Sequence, residues 1–303
     1  MKVGIIGLGW VGSGVAISPL HSGIATELLL NDVREGVADA EAMDLSQGAP
    51  FYPTARVRAT SVEGMKDADA VVICAGRGGK PSESRLDLLR DNASIMRNIG
   101  RQLAGGRSIL IGVANPVDVL TRVLQEVAGR PPSRVLGTGT MLDTARLRHV
   151  LGGGLHIDSR SIHGAVVGEH GDSEVVLWSG ARVGGRALRQ WPGWDRSREP
   201  ALAGEVRRAA YEIIRRRGAT NHAIGLVTAA LLRWVLRGER RKLTVSRVQE
   251  GALGFRKVAL SLPPVVDRDG AVEVLSPEMD DGELAGLRQS ADVLQKSWAS
   301  LAP

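Results

Sequence analysis

A chain of 303 residues with 43% hydrophobic and 24% charged residues has the composition of an ordinary globular protein, with room for two lobes. The net charge of +6 and pI near 10 would admit a nucleic-acid partner, but the basic residues, nearly all arginine, are interleaved with acids. Two Phe and two Tyr leave few platforms for base stacking, so no nucleic-acid partner is expected. No apolar run approaches the roughly 18 residues that span a bilayer, and a membrane role is not expected either. Met1-Lys2 runs straight into a strand-like segment, so a cytoplasmic chain without a leader is the expectation. The single cysteine, Cys74, allows no internal disulfide and falls in the apolar run Ala70–Cys74, a core position.

Val3–Ile6 reads as a buried strand. It leads into Gly7-Leu-Gly9-Trp-Val-Gly12 and an apolar helix to about Leu20, in which Pro19 is expected to kink or end the helix. Strand, glycine turn and helix together form a dinucleotide fingerprint: Gly7 for the tight turn, Gly9 for backbone approach to a pyrophosphate, Gly12 for helix–strand packing. The helix N-terminus offers its free N–H groups and positive dipole end to phosphate. A second strand, Glu27–Asn31, ends at Asp32, twenty residues beyond Gly12, where an acid accepts hydrogen bonds from both ribose hydroxyls and repels a 2′-phosphate. NAD is therefore favoured over NADP.

Further strands near Arg56–Ala59, Ala70–Cys74, Ser108–Gly112 and Arg134–Gly137 alternate with helical stretches. Six short strands so arranged predict an α/β fold with a Rossmann-type, doubly wound parallel sheet over residues 1–138. The chain changes character near Gly139, and residues 139–303 are expected to form an α+β substrate or catalytic domain. The glycine-rich loop Ala75–Arg85 follows a strand at its carboxyl end, where ligands bind in such sheets, and carries Arg77, Lys80 and Arg85; it reads as a lid over an anion. Asp143 and Arg146 are one helical turn apart, which suits either a site or an intrahelical ion pair. His170 stands between glycines with carboxylates on both sides, an ionisable group with room for something to approach. His156, His163 and His170 recur every seven residues, but glycines break any helix there and odd spacing alternates faces on a strand, so no metal site is expected. The run Arg237–Lys242 sits at a helix end. The tail from about Ser276 to Leu301 predicts an amphipathic helix packed on its own chain through Leu284, Leu287, Ala291, Leu294 and Trp298. For Trp191 and Trp194, burial, subunit contact and exposure all remain open.

In order along the chain, Gly7-x-Gly9-x-x-Gly12, Lys80-Pro81 to Arg85, Ala114-Asn115-Pro116-Val117-Asp118, Leu142-Asp143-Thr-Ala-Arg146 and Gly168-Glu-His170-Gly-Asp172-Ser resemble the L-lactate/L-malate dehydrogenase family over essentially the whole length. The resemblance implies an NAD-dependent oxidation of a 2-hydroxy acid, with bacterial L-lactate dehydrogenases as the nearest type. It makes His170 the general acid and base, Asp143 its orienting partner, Arg146 the carboxylate clamp and Arg85 the loop cation that polarises the carbonyl. Asn115 would contact the carbonyl region and Thr220 would line the substrate pocket. Ile224 would pack on the nicotinamide, with Gly7, Gly9, Trp10, Val11, Gly12, Asp32, Ala75, Gly76 and Asn115 completing the cofactor contacts.

In this family the residue six before the loop arginine selects the substrate side chain: glutamine suits pyruvate and arginine suits oxaloacetate. Gly79 occupies that position and matches neither. Glu169 and Thr220 lean towards lactate, and the missing side chain predicts tolerance of bulkier 2-oxo acids. Malate stays an alternative, with Arg77 or Lys80 supplying the second cation, and a non-catalytic NAD-binding protein is a third. Arg148 and His163 match positions that bind fructose 1,6-bisphosphate between subunits in allosteric relatives, and the family implies a homotetramer or dimer.

Overall fold

A computed structural model describes residues 1–79 and 84–301, with the backbone alone of Arg85. The first half alternates strand and helix: β1 (Lys2–Ile6), α1 (Trp10–His21), β2 (Glu27–Asn31), α2 (Val37–Gln47), β3 (Arg56–Ala59), β4 (Ala70–Ile73), α3 (Arg85–Leu103), β5 (Ile109–Gly112), α4 (Val117–Ala128) and β6 (Val135–Gly137). The six strands run parallel in the order β6-β5-β4-β1-β2-β3, the doubly wound arrangement expected from the alternation. Their near-continuous apolar character follows from burial on both faces. Leu28 and Leu30 pack with Val15 and Leu20 of α1 on one side, while Leu29, Val71 and Ile73 pack with α3 and α4 on the other.

Pro19 departs from the expectation. It is buried inside α1, which continues to His21, and its carbonyl accepts from Ile24 and Ala25 in the turn beyond. A proline this close to the C-terminus forfeits one backbone bond without stopping a helix that is already ending.

The second half comprises α5 (Met141–Leu155), β7 (Ile162–His163), β8 (Val166–Val167), β9 (Val175–Val176), β10 (Arg182–Val183), β11 (Arg186–Ala187), α6 (Glu199–Arg217), α7 (His222–Arg237), β12 (Arg241–Lys242), β13 (Val245–Glu250), β14 (Arg256–Leu262), β15 (Pro264–Asp267), β16 (Gly270–Val274) and α8 (Asp281–Ala299). Two of its strands return to the first sheet. β13 pairs antiparallel with β6 and β14 with β13, so the sheet has eight strands and a mixed edge. Helix α7 also crosses back onto α1. A Cβ on Gly225 would lie 3.0 Å from the Gly14 carbonyl oxygen, so the two helices meet backbone to backbone there.

Helix α8 opens on a capping box between Asp280 and Glu283, buries Leu287, Ala291 and Leu294, and sets Trp298 under the Arg122 guanidinium of α4 at 3.8 Å. Trp191 and Trp194 pack against the core of the second lobe, with Trp194 6.1 Å from Trp178. Among the described residues no helix is long and apolar enough to cross a membrane.

Candidate active site

The glycine turn is built for close approach. Gly7 holds φ +90°, and a side chain there would strike the backbone of Ala75 at 2.5 Å; one on Gly12 would overlap the Gly7 carbonyl oxygen. At Gly9, by contrast, a Cβ would meet nothing within 4 Å. Gly9 is also the N-cap of α1 and offers no side-chain cap, so the first N–H groups of the helix are left without one. Asp32 ends β2 and accepts the Leu8 N–H at 2.7 Å. Arg34, which the sequence reading passed over, grips the same carboxylate through Nε at 2.9 Å. Its hydrogen bond holds the Asp32 carboxyl down at about 2, against the opposing effect of burial. An uncapped helix end, a glycine-lined opening and a permanently ionised acid at the adjacent strand end fit a dinucleotide. Trp10 lies 60% exposed at the start of α1, with Arg217 of α6 over its ring at 5.3 Å, and Val11 is partly buried beside it.

On the far side of the strand ends, one buried side chain ties two loops together. Asn92 of α3 accepts the Arg77 N–H at 2.9 Å through Oδ1 and donates to the Arg77 and Asn115 carbonyls at 3.1 and 2.9 Å. This fixes Gly76 and Asn115 opposite each other; a Cβ on Gly76 would touch Ala114 at 3.0 Å. Arg77 is drawn to Asp91 at 2.7 Å. Gly79 is exposed, and among the described residues a Cβ there would meet Leu88, at 3.3 Å. Lys80 and Pro81, and the side chain of Arg85 at the start of α3, lie outside the described residues.

The ionisable core lies where the second half reaches this opening. His170 Nδ1 donates to Asp143 Oδ2 at 2.5 Å, and Arg146 Nη1 donates to Asp143 Oδ1 at 2.7 Å. The readings of Asp143–Arg146 as a site and as an ion pair thus coincide: one buried carboxylate serves both the ring and the guanidinium. Burial alone would lower the His170 pKa, but the charge and hydrogen bond of Asp143, backed by Asp118, outweigh it and raise the ring to about 9. Burial would raise Asp143, and His170 and Arg146 more than offset it, leaving Asp143 below its usual range.

The loop carrying the histidine is fastened at three successive N–H groups, each to a different element. Gly168 donates to the Ser261 carbonyl of β14 at 2.8 Å, Glu169 to the Ser290 hydroxyl of α8 at 2.7 Å, and His170 to Asp118 Oδ2 of α4 at 2.7 Å. Thr140 bolts the base of the loop to α5 through the Val166 carbonyl at 2.6 Å. Glu174, just beyond, is 4% exposed, its Oε1 lacks a hydrogen-bond partner among the described residues, and burial with the charge of Asp143 pushes it up to about 8. Sequence reasoning missed Asn92, Glu174, Ser261 and Ser290, and named Asp118 within a motif without giving it a role, because single polar residues far along the chain carry no local signal.

Thr220 lies in the turn between α6 and α7, and Ile224, in the first turn of α7, packs with the core that α1 lines, where α7 crosses α1 at Gly14 and Gly225. Arg148 and His163 line a separate groove of about 630 Å³ together with Arg182 and Lys242. Arg148 donates to the Ser159 carbonyl at 3.0 Å, and burial together with the nearby Arg241 lowers its proton affinity. Among the described residues no cluster of three His, Cys, Asp or Glu side chains could hold a metal ion.

Comparison with known proteins places this arrangement. The lactate/malate dehydrogenase NAD binding domain matches residues 1–137 and the lactate/malate dehydrogenase α/β C-terminal domain residues 140–302. The chain is 42% identical to an L-lactate dehydrogenase of Salinibacter ruber, covering 99% of this chain and 97% of the relative. It is 40% identical to one from a Synechococcus strain, with 98% of each chain covered. The crystal structure of the minor L-lactate dehydrogenase of Enterococcus mundtii superposes with a TM-score of 0.96 at 36% identity, over 99% of this chain and 98% of that one. The fingerprint, the five ordered motifs and the buried His170–Asp143–Arg146 group thus converge with these likenesses, and the chain belongs to the lactate/malate dehydrogenase family of NAD-dependent oxidoreductases.

Proposed function

We propose that the chain is an L-lactate dehydrogenase, interconverting pyruvate and L-lactate, with His170 as the proton carrier. The observation that carries this reading is the buried histidine held by Asp143 and paired across that carboxylate with Arg146. NADH, when bound, supplies the hydride to the carbonyl carbon. His170, protonated at neutral pH, gives its Nε2 proton to the carbonyl oxygen as that oxygen gains charge, and takes it back in the reverse direction. Asp143 fixes the ring so that Nδ1 is the inward nitrogen and stabilises the imidazolium. Arg146 clamps the substrate carboxylate, for which a planar guanidinium is suited where an ammonium is not. Arg85 takes the role of carbonyl-polarising lid residue on its sequence position. The Asp32 carboxylate receives the ribose hydroxyls, exchanging part of its contact with Arg34, while the free end of α1 and Gly9 receive the pyrophosphate. Thr220, Asn115, Ala75, Gly76 and Ile224 border the reacting rings.

A monocarboxylate fits the specificity position better than oxaloacetate. Gly79 brings no cation of its own, and Arg77 is paired with Asp91, so a second substrate carboxylate would have to draw Arg77 from that partner or rely on Lys80, which lies outside the described residues. The missing side chain at Gly79 favours tolerance of larger 2-oxo acids such as phenylpyruvate, one methylene being worth about 1–3 kcal/mol in such pockets. Steady-state assays across pyruvate, phenylpyruvate and oxaloacetate test both statements. Oxaloacetate ahead by an order of magnitude in kcat/KM would sink the lactate reading.

The groove holding Arg148, His163, Arg182 and Lys242 supports fructose 1,6-bisphosphate as a regulatory ligand, since two phosphates need several cations at one opening. A homotetramer or dimer and a cytoplasmic location complete the reading; light scattering in solution tests the first.

A further inference from the structure

Two adjacent N–H groups of the catalytic loop are held by very different acceptors. Glu169 N–H is held by the Ser290 hydroxyl, which is neutral and wholly buried; His170 N–H, one residue on, is held by the carboxylate of Asp118, 1% exposed. The serine demonstrates within this same loop that a neutral acceptor suffices to anchor a backbone N–H. Burying a carboxylate for that purpose alone is unfavourable, because a charge loses its solvation. The second oxygen deepens the contrast: Asp118 Oδ1 is buried without a hydrogen-bond partner of good geometry among the described residues, while the Ser246 hydroxyl nearby favours the anion. What the charge does face is the histidine. The groups that bear on Asp118 are His170 and Glu169 from the loop and Ser246 from β13, while Asp143 holds the ring at Nδ1, Arg146 shares Asp143, and Glu174 feels the charges of both His170 and Asp143.

We propose that Asp118 is a positioning residue for the proton carrier: from the first half of the chain it holds the His170 backbone and supplies the protonated ring with a second negative charge beside that of Asp143. This rests on the reading of His170 as the proton carrier. The carboxylate is competent for the role at neutral pH. Burial raises its pKa only to about 6, opposed by the Ser246 hydroxyl and by His170, so above that pH the group is ionised. The arrangement also links the two halves of the site. Asp118 sits in the first turn of α4, three residues after Asn115, so the element that borders the substrate carbonyl also bears the anchor of the acid that protonates it.

The test is Asp118→Asn, which retains an oxygen acceptor of nearly the same shape and removes the charge. Two profiles are read: kcat/KM for pyruvate against pH, and the NMR titration of the His170 ring in the free enzyme, with thermal unfolding and NADH fluorescence as controls for fold and cofactor binding. The expected result is a fall of about one unit in both midpoints, with roughly tenfold lower kcat/KM above pH 9 and little change at pH 6. A lower melting temperature with both midpoints in place would overturn the proposal, since that is what a purely structural acceptor predicts. Should the variant not fold, Asp118→Ser leaves a hydroxyl to accept the His170 N–H, as Ser290 does for Glu169, and removes the same charge. A shift of the ring midpoint in the same direction then supports the proposal, and an unmoved ring midpoint overturns it. The ring titration needs no turnover, so a displaced midpoint in a protein where His170→Asn leaves activity intact would refute the proton-carrier reading and not the charge effect.

Discussion

Two places in this molecule collect charged side chains, and they do so by opposite rules. Around the catalytic loop, His170, Asp143, Arg146, Asp118 and Glu174 are gathered, with cation and anion interleaved so that the sharing of protons is what varies. In the groove of the second half, Arg148, His163 and Lys242 come together with Arg241 nearby, and Arg182 pairs there with Glu278. The first arrangement answers its own charges and shifts pKa values. The second gathers cations with fewer acids among them. On the proposed function, a site that moves protons and a site that attracts an anion would differ less in composition than in how far the counter-charges are built in.

The largest test of that difference is His170→Asn. It should lower kcat for pyruvate reduction about a thousandfold while leaving NADH binding near its original strength, as read by stopped-flow turnover and fluorescence titration. Arg146→Lys comes next. An ammonium cannot offer the forked contact, so kcat/KM for pyruvate should fall roughly a hundredfold, mostly through KM, with unchanged circular dichroism. An effect confined to stability would return Arg146 to the role of a plain ion-pair partner.

Proton sharing sets the pH behaviour. With the ring raised to about 9, kcat/KM for pyruvate should hold across neutral pH and fall tenfold per unit above that midpoint, whereas lactate oxidation should rise towards it. Glu174 offers the stability counterpart. Its carboxyl is raised in the folded state to about 8 from an ordinary 4.5, so the folded state binds the proton more tightly than the unfolded chain does. That contribution is complete below about 4.5 and is lost as pH rises through 8. Glu174→Gln removes the titration, and its melting temperature should decline less than the parent's between pH 5 and 8.5, by a few degrees in scanning calorimetry. The smallest effect belongs to the groove: Arg148→Gln should abolish any activation of pyruvate turnover by fructose 1,6-bisphosphate. A full response in that variant would remove the groove from the regulatory reading.

How much of this was legible in the sequence depended on whether the signal was local. The strand–glycine turn–helix unit, the acid at the end of β2 and the helical spacing of Asp143 and Arg146 are short-range patterns, and each stands where the residues implied. The anchors of the catalytic loop are the reverse. Asp118 lies 52 residues from His170, and Ser290 lies 121 from Glu169, distances over which no periodicity speaks. Each reads in isolation as a stray polar residue in an apolar helix, and only the fold supplies its partner. Pro19 failed for a related reason: a residue rule that holds in mid-helix weakens within two residues of the end.

The return of β13, β14 and α7 to the first sheet has a consequence for how the molecule could be divided. The two family domains meet between residues 137 and 140, yet the sheet does not stop there. A fragment ending at residue 138 would leave β6 with an open hydrogen-bonding edge and α1 with its Gly14 face bare, an invitation to self-association. The chain's two halves are thus better regarded as one cooperative unit whose seam runs through the middle of a continuous sheet. Domain exchange with relatives should succeed only when the swapped segment carries its share of that sheet with it.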